Sequence, residues 1–212
     1  MEEQLVSIEG DAVHMDGALE LPDMPIGVVL FAYGSDRLNP GNGEILAELR
    51  HAGMGTLLLD LLSAEEEKDY YTRFDMTLLT QRLAKAADCL AQSERTRGLP
   101  LGLFGSGSGA AAALQLAAWR GADIAAVVTR GGRPDLAGRQ TLDKVRAPTL
   151  LIVGGLDNDI LDLNRMAFTA LHCDKQLEVI NGASSQFGEA GALQAAAVLA
   201  RSWFTQHFSG RA

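Results

Sequence analysis

Residues 101–116 read LGLFGSGSGAAAALQL, and the rest of the chain arranges itself around them. The apolar run 101–104 predicts a short buried strand, Gly105-Ser106-Gly107-Ser108-Gly109 a tight turn, and the alanines of 110–113 the opening of a helix. Glycine carries no Cβ, so a turn this rich in it closes sharply, and the small alanines let the helix lie flush on its strand. Ser108, just before the alanines, is expected to cap the helix, because a serine oxygen readily accepts from the free N–H groups of a first turn.

Working outward, the same alternation recurs. Segments 4–8 and 12–21 predict two strands joined by the turn Glu9-Gly10-Asp11. The β-branched apolar run IGVVLFA at 26–32 predicts a central strand buried on both faces. A loop rich in Gly, Ser, Asp, Asn and Pro covers 33–42, a helix 44–51 and a buried strand 56–60 (TLLLD). Residues 61–74 form a long polar connection, with Glu65-Glu66-Glu67 beside Tyr70 and Tyr71. Apolar residues at helical spacing (Met76, Leu79, Leu83, Ala86, Leu90) predict a helix over 75–94 with Asp75 as its cap. Beyond the central unit come strands at 124–129, 149–153 and 177–180, with helices over 160–171 and 191–208. Strands alternating with helices over the whole length define a mostly parallel sheet flanked by helices, and no linker or repeat divides it. The expectation is one α/β domain over 1–212.

Composition bounds the function. The formal net charge of −9 disfavours a nucleic-acid partner, which would be repelled without a basic face. No apolar run approaches the ~20 residues that span a bilayer, and MEEQLVSIEGD at the start has neither a basic nor an apolar signal region. Cys89 and Cys173 are too few and too far apart for a disulfide framework or a metal cluster. These features point to a soluble cytoplasmic protein with no cofactor and no membrane partner. A homodimer is compatible with the sequence, although no motif supports it.

Several segments in order, VVLFAYGS, TLLLDLL, LGLFGSGSGAAAAL, VVTRGGRPDLAG, APTLLIVGGLD and LEVINGASSQF, resemble a small, lidless α/β-hydrolase of the dienelactone hydrolase type. That resemblance makes the central unit a nucleophile elbow, the G-x-S-x-G turn that lifts a serine into the cleft. It implies a nucleophile between Ser106 and Ser108, where this chain has Gly107. It implies an acid after the strand ending at Val153, where Asp157 fits. It implies a histidine in the loop after the last strand, where Gly182-Ala183-Ser184-Ser185-Gln186-Phe187 puts Ser185. The His-Gly pair of the loop after the third strand is replaced by Tyr33-Gly34-Ser35. Two members of a Ser-His-Asp triad are gone.

No residue stands in for them. His14 falls in the N-terminal hairpin, His51 at a helix end, His172 near a helix C-terminus and His207 in the tail. None lies on the loops at the C-terminal edge of the parallel strands, where sites in such sheets assemble. A serine without an imidazole keeps its weak intrinsic nucleophilicity. What remains are backbone donors at Ser108 and at Ser35 or Asp36, the carboxylate of Asp157, Arg130 and Arg133 for an acidic ligand, and Tyr33.

Three readings stay open: a pseudoenzyme binding a small acidic or carbonyl ligand or a protein partner; an isomerase-, lyase- or cyclase-type enzyme using Asp157 and Tyr33 as proton carriers; and a residual hydrolase. A fourth comes from Gly105-x-Gly107-x-x-Ala110, which satisfies the dinucleotide fingerprint, with Arg130 and Arg133 placed for a 2′-phosphate of NADP.

Overall fold

The structure, a computed structural model, describes residues 2–10, 13–33 and 41–209. Its centre is an eight-stranded sheet in the order β1-β2-β4-β3-β5-β6-β7-β8. The strands are β1 (Glu2–Glu9), β2 (His14–Leu21), β3 (Val28–Ala32), β4 (Gly55–Leu59), β5 (Leu101–Ser106), β6 (Ile124–Arg130), β7 (Thr149–Gly154) and β8 (Lys175–Ile180). β1, β2 and β4 pair antiparallel, and every pairing from β4 through β3 to β8 is parallel. The helices are α1 (Gly41–His51), α2 (Tyr70–Arg73), α3 (Met76–Gln92), α4 (Gly109–Arg120), α5 (Arg139–Leu142), α6 (Asn158–Ala170) and α7 (Ala192–Phe208).

Each face of the sheet has its own core. Leu30, Leu57, Leu103 and Val127 point to α3 and α4, meeting Leu79, Leu83 and the alanines 111–113. Val29, Phe31, Phe104 and Val128 point the other way, to Ile45 and Leu49 of α1 and Ala196, Ala200 and Phe204 of α7. The strands buried on both faces follow the apolar runs of the sequence, unbroken in β3 and interrupted only at the strand ends by buried Thr129 and Arg130 of β6 and Thr149 of β7.

The elements fall close to their expected bounds, with informative differences. Helix α1 starts at Gly41, earlier than the expected 44, and α6 starts at Asn158 with Asp157 as cap. The long connection 61–74 contains a 3₁₀ turn (Glu66–Lys68) and the short helix α2. Asp75 does cap α3, accepting from the Leu78 N–H at 2.9 Å. Ser108 does not cap α4 with its side chain: its backbone is already helical (φ −67°, ψ −25°), so Oγ cannot fold back onto the first turn. Asp11 and Ala12 of the expected hairpin lie outside the described residues.

Candidate functional site

The turn between β5 and α4 sits at the C-terminal edge of the parallel strands. At its apex Gly107 is exposed, with φ +53° and, among the described residues, nothing within 4 Å of where a Cβ would stand. This is the left-handed backbone of an elbow apex, held by a residue with no side chain to present. Two residues on, a Cβ on Gly109 would stand 1.8 Å from the carbonyl oxygen of Ala32. Only glycine lets α4 start this close to the end of β3. Of the glycines in the dinucleotide fingerprint, Gly107 forms the elbow apex and Gly105 lies against the start of α4, where a Cβ would stand 2.7 Å from the Gly109 carbonyl oxygen.

Three further loops converge on this apex. The loop after β6 is tied to it by the Arg133 N–H, which donates to the Gly107 carbonyl at 2.9 Å. Buried Asn164 of α6 holds the same loop from behind, donating from Nδ2 to the Gly132 carbonyl at 3.1 Å. The loop after β8 descends onto the ends of β6 and β7. A Cβ on Gly131 would meet the Ser185 carbonyl at 2.6 Å, and one on Gly154 the Ser184 carbonyl at 2.3 Å. Its link to the loop after β7 is the Leu156 N–H donating to the Ala183 carbonyl at 2.9 Å. Glu189 cinches it, taking bonds from the Ser184 N–H and Oγ, and these hold the Glu189 carboxyl below its usual range.

Ser185 thus stands at the loop position the resemblance assigns to histidine, half-buried, and with Asp157 lines one shallow depression. Asp157 spends one carboxylate oxygen on the Ile160 N–H, at 3.1 Å, as the cap of α6. Tyr33 is fully buried, its ring 5.5 Å from Phe31 and 6.4 Å from Phe104, in the core beneath the edge. Ser35 and Asp36 lie outside the described residues.

The two arginines separate. Arg133 is clamped by both oxygens of Asp135, at 2.8 and 2.7 Å; that bond raises its pKa, with a smaller contribution from nearby Tyr70. Its charge is answered locally. Arg130 is the last residue of β6, not a loop residue, and is 3% exposed. Its Nη2 is 3.4 Å from Asn42 Oδ1 and its guanidinium 5.7 Å from the Phe187 ring centre.

Phe187 is, among the described residues, the one non-glycine with positive φ, 56°. Sequence reasoning missed Phe187, Asn42 and Asn164, since nothing in their local sequence marks a strained backbone or a tertiary hydrogen bond. Tyr70, Tyr71 and Phe74 cluster on the surface, Tyr70 lying 5.9 Å from Tyr71 and 4.9 Å from Phe74.

His14 starts β2, His51 ends α1, and His172 follows α6, 3.1 Å from Asp143. His207 belongs to the last turn of α7, not a free tail, and packs on Trp203 at 4.5 Å. None lies on the loops that form the apex. Among the described residues no group of three or more His, Cys, Asp or Glu could hold a metal ion, and no helix is long and apolar enough to cross a membrane.

An eight-stranded sheet of this order, with an elbow after its fifth strand, defines an α/β-hydrolase. A dienelactone hydrolase from Anabaena variabilis ATCC 29413 is 45% identical and superposes with a TM-score of 0.90 over 97% of this chain and 98% of that one. The chain belongs to the dienelactone hydrolase family. A dienelactone hydrolase-like promiscuous phosphotriesterase from metagenomic libraries is 21% identical, covers 97% of this chain and 98% of its own, and shares the fold at a TM-score of 0.75. Two proteins of Mycobacterium tuberculosis, strains CDC 1551 and H37Rv, each described as "Putative phosphoribosyl transferase", are 43% identical over 99% of this chain. The chain spans about half the length of those curated relatives, 48%. No protein-family model matches it.

Proposed function

We propose that this chain is a pseudoenzyme of the dienelactone hydrolase family: its cleft is kept for binding and its Ser-His-Asp chemistry is lost. The observation that carries this reading is the apex, where an elbow backbone at φ +53° presents no side chain. Ser185 at the histidine position supports it, because a hydroxyl cannot act as the base that activates a nucleophile. Asp157, capping α6, is a carboxylate without an imidazole to orient.

The ligand this cleft suits is a small carbonyl-bearing molecule. Its oxygen would be received by the backbone N–H of Ser108, the residue after the apex at the start of α4. Recognition of an acidic ligand by Arg133 is disfavoured, since Asp135 already holds that guanidinium. An isomerase- or lyase-type activity through Tyr33 is disfavoured by that residue's burial in the aromatic core. Phosphoribosyl transfer is not assigned to this chain, since it matches only about half of the relatives so described.

The test is turnover of p-nitrophenyl acetate by the wild type and by Gly107→Ser/Ser185→His. The reading expects a silent wild type and a double variant that hydrolyses. Wild-type turnover lost in Asp157→Ala would overturn it.

A further inference from the structure

Away from the cleft, a groove runs between α6 and the segment made of the 3₁₀ turn Pro134–Ala137 and α5. It encloses about 420 Å³, within the range of small-molecule sites. Leu142, 2% exposed, and Ala167, 1% exposed, form its floor with Ala170. Met166, 66% exposed, and Thr169 stand on one rim, and Arg139 on the other. Residues 166, 167, 169 and 170 share this face of α6 because they recur at three- and four-residue spacing. Asn164, just before them, pins α6 to the Gly132 carbonyl at 3.1 Å, so the two walls are held together at one end.

The lining states the chemistry of an occupant. Leucine and alanine side chains offer water no hydrogen bond, so an apolar chain that displaces water from the floor is favoured. No aromatic ring lines the groove, and Met166 carries an adaptable thioether, which suits a flexible aliphatic chain. Two charges border it. Asp135 is already answered, both of its oxygens accepting from Arg133 at 2.8 and 2.7 Å. Arg139 is exposed, and among the described residues no hydrogen bond or ion pair engages its guanidinium. A guanidinium pairs best with a carboxylate, through two parallel N–H bonds.

We propose that this groove binds an aliphatic monocarboxylate, its chain along Leu142, Ala167 and Ala170 and its carboxylate at Arg139. One unengaged cation calls for one carboxylate; a second would meet the carboxylate of Asp135. The site is separate from whatever the cleft binds above Gly107 and does not rest on the pseudoenzyme reading.

The test is calorimetric titration of the whole chain with octanoate and with 1-octanol, joined to NMR of its methionine methyl groups. Octanoate is expected to bind at a single site, and Arg139→Gln to weaken it about tenfold. The alcohol, which shares the chain but not the charge, is expected to bind the wild type and Arg139→Gln alike. Thr169→Trp, which fills the groove, should abolish both. The Met166 methyl resonance, assigned by its loss in Met166→Leu, should shift as octanoate is added. No octanoate binding, binding that survives both Arg139→Gln and Thr169→Trp, or a Met166 resonance that stays in place would overturn the proposal. So would a Met166 resonance that moves with protein concentration alone, the mark of a second copy seated in the groove. Arg139 and Thr169 are exposed, so neither substitution enters the core, and the Met166 shift is read on the wild type whatever the variants do. Esterase turnover by the wild type would contradict the pseudoenzyme reading and leave this result untouched.

Discussion

The Arg130 guanidinium lies 5.7 Å from the centre of the Phe187 ring, and Phe187 holds that place with φ +56°, a backbone conformation costly for any residue but glycine. The two come from different strands' ends: Arg130 closes β6, while Phe187 follows β8. Local strain of this kind persists only where the surroundings overdetermine it. Here it fixes the loop that carries Ser185 over the elbow.

This contact makes a double-mutant cycle informative. Phe187→Leu and Arg130→Gln, measured singly and together by urea unfolding, are expected to couple by about 1 kcal/mol. Additive effects would mean the ring and the guanidinium are neighbours without an energetic bond.

Glycines two residues apart in the elbow predict opposite outcomes. Gly107→Ala meets no atom of the described residues, and its left-handed backbone costs about 1 kcal/mol. Gly109→Ala places a methyl 1.8 Å from the Ala32 carbonyl oxygen and is expected to cost more than about 3 kcal/mol. Chemical denaturation of the two variants side by side measures the difference.

Asn164 links α6 to the apex through the Gly132 carbonyl at 3.1 Å, while also donating to the Ile160 carbonyl at 2.8 Å. Asn164→Ala leaves the Gly132 carbonyl without this donor, while the Ile160 carbonyl keeps its bond within the helix, and is expected to cost about 2 kcal/mol. Hydrogen exchange of the Arg133 amide, which bonds to Gly107, should quicken more than that of amides in β3.

Acid stability turns on Glu66. Its bonds to Arg82, with backbone help from Ser63, hold its carboxyl at about 2 against an ordinary 4.5, despite partial burial that pushes the other way. The folded pKa is depressed, so the stabilisation is full above about pH 5 and is lost as pH falls from there towards 2. It amounts to about 2–3 kcal/mol. Glu66→Gln should lower stability at pH 7 and flatten the stability profile between pH 5 and 2. A wild-type profile already flat over that range would show that the pair contributes nothing.

Much of the fold was legible because its signals are local. The strand runs IGVVLFA and LGLFGS, the turn glycines and the Asp75 cap each act through neighbours in sequence, and each fell close to its place. Gly107 and Ser185 are assigned to the nucleophile and histidine positions only by resemblance to the family, not by any local pattern. What escaped depends on distant residues. Ser108 reads as a cap until the backbone proves already helical. Arg130 and Arg133, three residues apart, read alike until Asp135 takes one and the core takes the other. The positive φ of Phe187 is imposed by tertiary contact, which no local pattern announces.

The central claim, that the elbow presents no nucleophile, is tested most directly by a fluorophosphonate probe read as intact mass. Such reagents phosphonylate only an activated serine. The account predicts no adduct on the wild type and a single adduct, at residue 107, on Gly107→Ser/Ser185→His. A stoichiometric adduct on the wild type, mapped to Ser106, Ser108 or Ser185, would contradict it.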